Sequence, residues 1–473
     1  METISVDICV IGAGSGGLSV AAGASQMGAN VALIERGKMG GDCLNYGCVP
    51  SKALIAAGHA AHVMQHSDRF GVKAVTPDVD YSALRDHIRG VIAVIEPNDS
   101  VERFTGLGVN VIEAEGRFVA PDEVEAGGKR IKAKRFVIAT GSSAMVPPIP
   151  GLDTVPYLTN ETVFELDSRP DHLIVIGGGP IGAELAQAHR RLGAQVTVLE
   201  MFEFLGKDDP ELTDVIRRQF VADGVDIRAG TAVKSVAAVD GGIAVTVVRD
   251  GKPEVVTGSH LLVAAGRQAN IDGLNLDAAG VHYDRKGITV DARLRTSNKK
   301  IFAIGDVAGP YQFTHMAGYH AGIVIRNILF KLPAKVDYRA VPWVTYTDPE
   351  LAHVGMTEAQ AKEQGIAGFQ ILRWPFHEND RAQAERETHG LIKVVLDKKG
   401  RVLGATIAGT RAGELILPWI LAVGGKQKIG TIAGAIVPYP TLSEVGKRAA
   451  GSYYTPKLFS EKTKKIVRFL LRF

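Results

Sequence analysis

Two short apolar runs, far apart in the chain, each lead into a glycine cluster. Residues 4–11 (Ile-Ser-Val-Asp-Ile-Cys-Val-Ile) form the first and Leu173-Ile174-Val175-Ile176 the second. Brief runs bounded by turn residues predict buried strands of a parallel sheet. After the first come Gly12-Ala13-Gly14-Ser15-Gly16-Gly17, a small-residue helix through Met27, and a strand Val31-Ala32-Leu33-Ile34 that ends in Glu35. After the second come Gly177-Gly178-Gly179-Pro180-Ile181-Gly182, a helix, Val196-Thr197-Val198-Leu199 and Glu200. Each acid stands 23 positions after the first glycine of its copy (12 to 35, 177 to 200). Strand, G-x-G-x-x-G turn, helix, strand and acid make up the dinucleotide fingerprint. Its first glycine (Gly12, Gly177) allows the tight turn, and its second (Gly14, Gly179) lets a pyrophosphate approach the backbone. The third (Gly17, Gly182) lets the helix pack on the sheet. Glu35 and Glu200 are placed to accept hydrogen bonds from an adenosine ribose. Two copies imply two dinucleotides.

The rest of the pattern is coarser. Residues 81–107 read as helix, broken near Pro97, and 109–140 as short strands with a Gly127-Gly128 turn. Residues 225–265 again read as strands and turns. Residues 301–309 form an apolar strand followed by Gly305-Asp306, and Asp306 has a second reading as the N-cap of a helix over 314–330. His315 and His320 on that helix are read as structural. A new pattern begins at Val341. Glu200 also bears on the nucleotide: a carboxylate there bonds a free 2′-hydroxyl and repels a 2′-phosphate, and Met201-Phe202-Glu203-Phe204 offer no arginine. NAD(H) is therefore expected over NADP(H).

Bulk properties narrow the class. At 473 residues about three domains are expected. A net charge of +3 points to no nucleic-acid partner. No run of about 18 apolar residues predicts a membrane-spanning helix, and the N-terminus runs into a strand without a signal-peptide pattern. Three cysteines are too few for a disulfide framework, so the expected compartment is cytoplasmic.

Two of those cysteines stand in Gly40-Gly41-Asp42-Cys43-Leu44-Asn45-Tyr46-Gly47-Cys48-Val49-Pro50-Ser51-Lys52. Past Pro50 the sequence reads as helix, with proline tolerated in the first turn. Cys48 is thus expected at a helix N-terminus, where the dipole lowers a thiol pKa, with Lys52 one turn on. That is the arrangement of a redox dithiol. The other reading is two ordinary loop cysteines or half a zinc site, but Cys9, the third cysteine, lies inside an apolar strand and no metal site is expected.

The segment Gly-Gly-x-Cys-x-x-x-x-Cys-x-Pro-Ser-Lys resembles the redox-disulfide segment of the class I flavoprotein (pyridine nucleotide-disulfide) oxidoreductases, which include dihydrolipoamide dehydrogenase, glutathione reductase and mercuric reductase. Ordered motifs extend the resemblance over residues 4 to about 450: Ala139-Thr140-Gly141, the second fingerprint, Ala265-Gly266-Arg267, Gly305-Asp306, and Trp343 to Glu358. It implies an α/β chain with two Rossmann-like domains and a C-terminal α+β dimerisation domain. The parts are 1–150 for FAD, 151–267 for NAD, 268–340 returning to the FAD domain, 341–450 for dimerisation, and a tail at 451–473. It implies FAD on the first fingerprint and NAD on the second. Thr140, Gly141 and Gly266 would mark the domain crossings beside the cofactors, and Asp306 would reach the ribityl chain. It further implies that Cys43 and Cys48 pair as a redox disulfide. Cys48 would be the thiolate nearer the flavin, and Cys43 the interchange thiol facing a small-molecule or small-thiol acceptor. Lys52 would stand beside the flavin ring, paired with Glu184; the other reading of Glu184 is a surface carboxylate. The chain would work as a homodimer.

Two features depart from the family. A His-Pro segment followed by glutamate supplies the acid–base dyad in dihydrolipoamide dehydrogenase; here the segment is Pro438-Tyr439-Pro440-Thr441-Leu442-Ser443-Glu444, so Glu444 is kept and Tyr439 replaces histidine. A phenol titrates near 10 and an imidazole near neutrality. Tyrosine there resembles mercuric reductase, yet no cysteine follows Cys48 to hand a metal ion inward. An FAD- and NAD(H)-dependent disulfide oxidoreductase is thus the leading reading. A metal-ion or quinone reductase is the second, and a redox sensor binding both cofactors the third. The other departure is the tail 455–473, with six positive charges against one negative and Ile466, Phe469, Leu470 and Phe473 at helical spacing. Such a basic amphipathic helix either lies on an anionic bilayer, at the inner face of the membrane, or packs on the dimer.

Overall fold

The computed structural model describes residues 2–473. Its first sheet is built on Glu2–Ile11, which runs parallel to Val31–Glu35 on one side and Lys129–Ile138 on the other. Val109–Glu113 extends the sheet beyond Val31–Glu35. Ile301–Ala303 returns from much later in the chain and pairs parallel with Lys129–Ile138. Ile8, Cys9, Val10 and Ile11 are all buried, which explains a run with no polar alternation: Ile8 and Val10 pack on helices, and Cys9 and Ile11 on the strands Arg117–Ala120 and Glu123–Ala126 and the segment 269–288. The helix Ser15–Gln26 and the helix Thr314–Ile328 lie against each other, with Gly16 facing Ile304 and Ala317 and Gly23 facing Ile325.

The second sheet runs in the order Asp226–Arg228, Gln195–Leu199, His172–Ile176, His260–Val263, all parallel. An antiparallel meander of Thr231–Val239, Gly242–Arg249 and Lys252–Gly258 flanks it. The chain enters and leaves this unit through two neighbouring strands, Ser142–Ala144 and Arg267–Ala269, paired antiparallel. Thr140 Oγ1 donates to the Asn270 carbonyl at 2.7 Å, so the two crossings are fastened together.

From Pro342 the chain builds a five-stranded antiparallel sheet in the order 342–345, 350–355, 402–409, 391–396, 370–375. Helices Leu417–Gly424 and Ser443–Ser452 cover it, burying Trp419, Val445 and Ala449. The tail follows as a helix Glu461–Leu470, capped by Ser460, whose side chain accepts from the Thr463 N–H. None of that helix is buried.

The predicted break near Pro97 falls between helices Tyr81–Ile95 and Val101–Gly106. The capping role for Asp306 is not realised: the helix starting at Thr314 has Phe313 at its N-cap, and Asp306 accepts from Ser142 instead.

Candidate dithiol active site

The glycine pair before Cys43 lays the redox segment against the first fingerprint. Gly40 has φ +85° and donates its N–H to the Ala13 carbonyl at 3.0 Å. A Cβ on Gly41 would come within 2.7 Å of the Gly14 Cα, so this close approach requires glycine. Cys43 then sits on a one-turn helix, Gly41–Asn45, and Cys48 is the first residue of the helix Cys48–Gln65. The cap position is Gly47, with no side chain to accept from the first turn, so the helix N-terminus serves the cysteine.

Cys43 and Cys48 are free thiols, near enough that each shifts the titration of the other. The neighbouring Cys43 thiol lowers the Cys48 pKa to about 6, against the opposing effect of desolvation, with further help from Thr314 and the charge of Lys52. Cys43 moves the other way, pushed well above the ordinary thiol range by the neighbouring Cys48 and by burial. The pair is therefore polarised, with Cys48 as thiolate and Cys43 as thiol. Thr314 Oγ1 lies 3.3 Å from Cys48 Sγ and donates to it when the sulfur is ionised. The motif reading missed Thr314, which stands 266 positions from Cys48 on a different helix. A hydroxyl residue opening a helix is a weak sequence signal.

Lys52 meets Glu184 from the second fingerprint helix, Nζ to Oε2 at 2.8 Å. Glu184 is only 8% exposed, which removes the surface-carboxylate reading. Its other oxygen accepts the Tyr346 N–H at 2.9 Å, and the Tyr346 ring lies under the Lys52 ammonium at 4.2 Å. Neither role of Tyr346 was predicted.

The two fingerprints repeat each other in detail. Gly12 and Gly177 have φ +102° and +112°. A Cβ on Gly17 would stand 1.8 Å from the Gly12 carbonyl oxygen, and one on Gly182 would stand 1.9 Å from that of Gly177. Gly14 and Gly179, by contrast, face open space, with nothing nearer than 3.9 Å to a Cβ there. Both fingerprint helices begin without a side-chain cap or an acidic first turn, leaving their N–H groups for an anion. Glu35 accepts from the Ala13 and Gly37 N–H groups, and Glu200 from those of Gly178 and Phe202. The residues thus fit FAD at the first site and a nicotinamide dinucleotide at the second. Gly14, Glu35 and Asp306 would hold the former, and Gly179 and Glu200 the latter.

Arg267 joins the crossings to the dithiol. Its guanidinium reaches Asp42 at 3.1 Å, next to Cys43, and donates to the Ser142 hydroxyl and carbonyl. The Ser142 hydroxyl in turn donates to Asp306 at 2.6 Å. Burial raises the Asp306 pKa against that bond. His320 is fully buried and accepts the Gly305 N–H on Nδ1, a structural role as expected.

Tyr439 and Glu444 stand apart from this cluster, on the C-terminal sheet unit. Tyr439 is 70% exposed and donates its hydroxyl to Asp380 at 3.0 Å. That bond and the charge of Asp380 raise the phenol pKa above its usual value, with a smaller contribution from Glu444. Asp380, which carried no sequence signal, is part of this patch. Among the described residues no group of three or more His, Cys, Asp and Glu side chains is arranged to hold a metal ion.

Two family models match the chain: the pyridine nucleotide-disulphide oxidoreductase model over residues 6–321, and the dimerisation domain of the same enzymes over 341–450. A mercuric reductase of Bacillus cereus is 38% identical over 442 residues, covering 93% of this chain and 70% of that protein. A dihydrolipoyl dehydrogenase of Halobacterium salinarum is 36% identical over 458 residues, covering 94% and 96%. The solved Cu(II) complex of RclA, an HOCl-induced flavoprotein disulfide reductase of Escherichia coli, superposes with a TM-score of 0.85 at 28% identity, covering 95% of this chain and 99% of that one.

Proposed function

We propose, because the chain belongs to the pyridine nucleotide-disulphide oxidoreductase family, that Cys43 and Cys48 are the redox pair through which it works. The protein is an FAD-dependent NAD(P)H disulfide oxidoreductase and forms a homodimer through its C-terminal domain. FAD, when bound, supplies a two-electron carrier between a nicotinamide and a disulfide. The observation that carries the residue assignment is the place of Cys48 at the start of its helix with the Thr314 hydroxyl 3.3 Å from its sulfur, an environment that lowers its pKa while that of Cys43 rises. With Cys48 ionised, oxidation of the pair removes two electrons and the single Cys43 proton and forms one S–S bond. Cys43, which keeps its proton, is the thiol that meets the acceptor; Lys52, held by Glu184, sets positive charge beside Cys48. The test is thiol counting on the holoprotein. Reduction with NADH should expose two new thiols in the wild type and none in Cys43→Ser or Cys48→Ser. An unchanged count in the wild type would overturn the assignment.

Glu200 supports NADH over NADPH, because its carboxylate stands where a 2′-phosphate would bring like charge. Equal kcat/KM for the two nucleotides would refute this.

Tyr439 favours a second reading of the acceptor. Its phenol is tied to Asp380 and held above its usual pKa, so it does not serve as a base near neutral pH. Acid–base help is typically worth roughly 10²–10⁴-fold in thiol–disulfide chemistry of this kind. A metal ion takes up electrons without protons, so its reduction needs no such shuttle at the acceptor. NAD⁺ reduction by dihydrolipoamide, with Tyr439→His run beside the wild type, separates the readings. A fast wild-type rate supports a disulfide acceptor, and a negligible rate rescued by histidine supports the other.

Among the described residues no helix is long and apolar enough to cross a membrane. We place the tail on the surface of an anionic one. Ile466, Phe469, Leu470 and Phe473 are exposed, the last at 96%, and lysines and arginines flank them. The full chain should sediment with phosphatidylglycerol vesicles at low salt and a chain ending at Gly451 should not. Equal partitioning of the two would sink the idea, and loss of the dimer on truncation would assign the tail to the subunit contact.

A further inference from the structure

Three stretches of chain with no sequence proximity converge on the Lys52 ammonium. Lys52 comes from the redox helix, Glu184 from the second fingerprint helix, and Tyr346 from the end of the first strand of the C-terminal sheet. Lys52 is 38% exposed, so burial alone does not fix its long side chain. Its contacts are Glu184 Oε2 at 2.8 Å, the Ser51 hydroxyl at 3.4 Å and the face of the Tyr346 ring at 4.2 Å. Tyr346 acts twice on this group. Its backbone N–H occupies the second oxygen of Glu184, which aims the first at Lys52, and its ring offers a negative face to the ammonium.

We infer that Tyr346 is the positioning residue of the redox lysine, holding the Lys52 charge between Glu184 and the Cys48 thiolate. The assignment rests on the dithiol reading above and adds a residue from the C-terminal domain to it. The ring face and not the hydroxyl does this: among the described residues the phenol oxygen of Tyr346 has no hydrogen-bond partner, and an aromatic face attracts a cation without one. The Tyr346 loop is itself held on the second domain: Gln187 accepts the Asp348 N–H and donates to its carbonyl, and Arg191 pairs with its carboxylate. Docking of the C-terminal domain therefore sets where the lysine charge sits. Because the charge of Lys52 is one of the causes that lower the Cys48 pKa, the thiolate reports the lysine position independently of turnover.

The experiment is a titration of Cys48 in the reduced holoprotein by its ultraviolet thiolate absorbance. It compares wild type, Tyr346→Phe, Tyr346→Leu and Tyr346→Met, each also in a Lys52→Met background. Tyr346→Phe should titrate with the wild type. Tyr346→Leu and Tyr346→Met keep the bulk but lose the ring face, and should titrate higher by about half a unit. In the Lys52→Met background the same substitutions should add nothing further. If either apolar variant folds and titrates with the wild type, or if its shift persists without Lys52, the positioning role is overturned. A Tyr346→Phe protein displaced as far as the apolar variants would overturn it as well. If a failed dithiol assignment were the cause, Cys48→Ser would leave the titration of the wild type unchanged, which separates the two failures.

Discussion

Removing the Cys43 thiol should move the Cys48 titration further than any other single change. In the reduced protein Cys48 carries a pKa of about 6. At pH 7 that corresponds to about ten thiolates for every thiol, whereas a thiol of ordinary pKa near 8.5 has about one thiolate for thirty thiols. Three neighbours lower the Cys48 pKa, Cys43 most, Thr314 next and the charge of Lys52 after it, against desolvation and the charge of Asp42. Cys43→Ala removes the first and should raise the midpoint most. Thr314→Val removes a hydroxyl 3.3 Å from the sulfur with little change of volume and should raise it by less. The assay is the ultraviolet thiolate absorbance of the dithiothreitol-reduced protein between pH 4 and 10, with Cys48→Ser subtracted. Cys43 does not interfere, because its own titration lies above the ordinary thiol range. A wild-type midpoint of 8 or higher, or a Cys43→Ala midpoint at or below the wild-type value, would refute the polarised-pair argument.

The same shift has a stability consequence. The folded pKa of Cys48 is depressed, so its stabilising contribution is fully present above the unfolded value near 8.5 and is lost as pH falls through about 6. The Tm of the reduced wild type, relative to Cys48→Ser, should therefore climb between pH 6 and 8. Arg191 is buried between Asp223 at 2.9 Å and Asp348 at 2.6 Å, and while Asp348 also has His59, Arg191→Met leaves the buried Asp223 without a charged partner; denaturant melts should show a loss of about 3–5 kcal/mol. Gly17→Ala and Gly182→Ala each force a Cβ onto a carbonyl oxygen, and they should fail differently. Flavin content of the purified protein should fall in the first, and nicotinamide binding by the flavin-loaded protein in the second. Lys52→Met removes both the partner of buried Glu184 and a charge beside Cys48, so the thiolate midpoint should rise while flavin content is kept.

The fold was legible because its signals are short-range. An apolar run, a glycine turn that requires φ above +100° at Gly12 and Gly177, and an acid at the end of the next strand are all read within about thirty residues. The same holds for Cys48, whose place at the start of a helix follows from Gly47 before it and Pro50 after it. The pairing of Lys52 with Glu184 came from resemblance and not from spacing; 132 positions separate them. Thr314 beside Cys48, Tyr346 under Lys52, Arg267 on Asp42 and Asp380 under Tyr439 went unread, although each is an ordinary residue in plain view. A hydroxyl, a ring or a carboxylate has no periodic signature, and its chemistry depends on which distant segment it faces.

The sequence by itself determined the elements, their order, two dinucleotide sites and the identity of the reactive sulfur's helix, because backbone sterics and helix dipoles act locally. Only the tertiary structure decided which distant groups stand beside that sulfur and what holds the lysine in place. Those depend on electrostatics across a few ångströms between side chains brought together from three separate sheet units, and the chain encodes such contacts only through its complete packing.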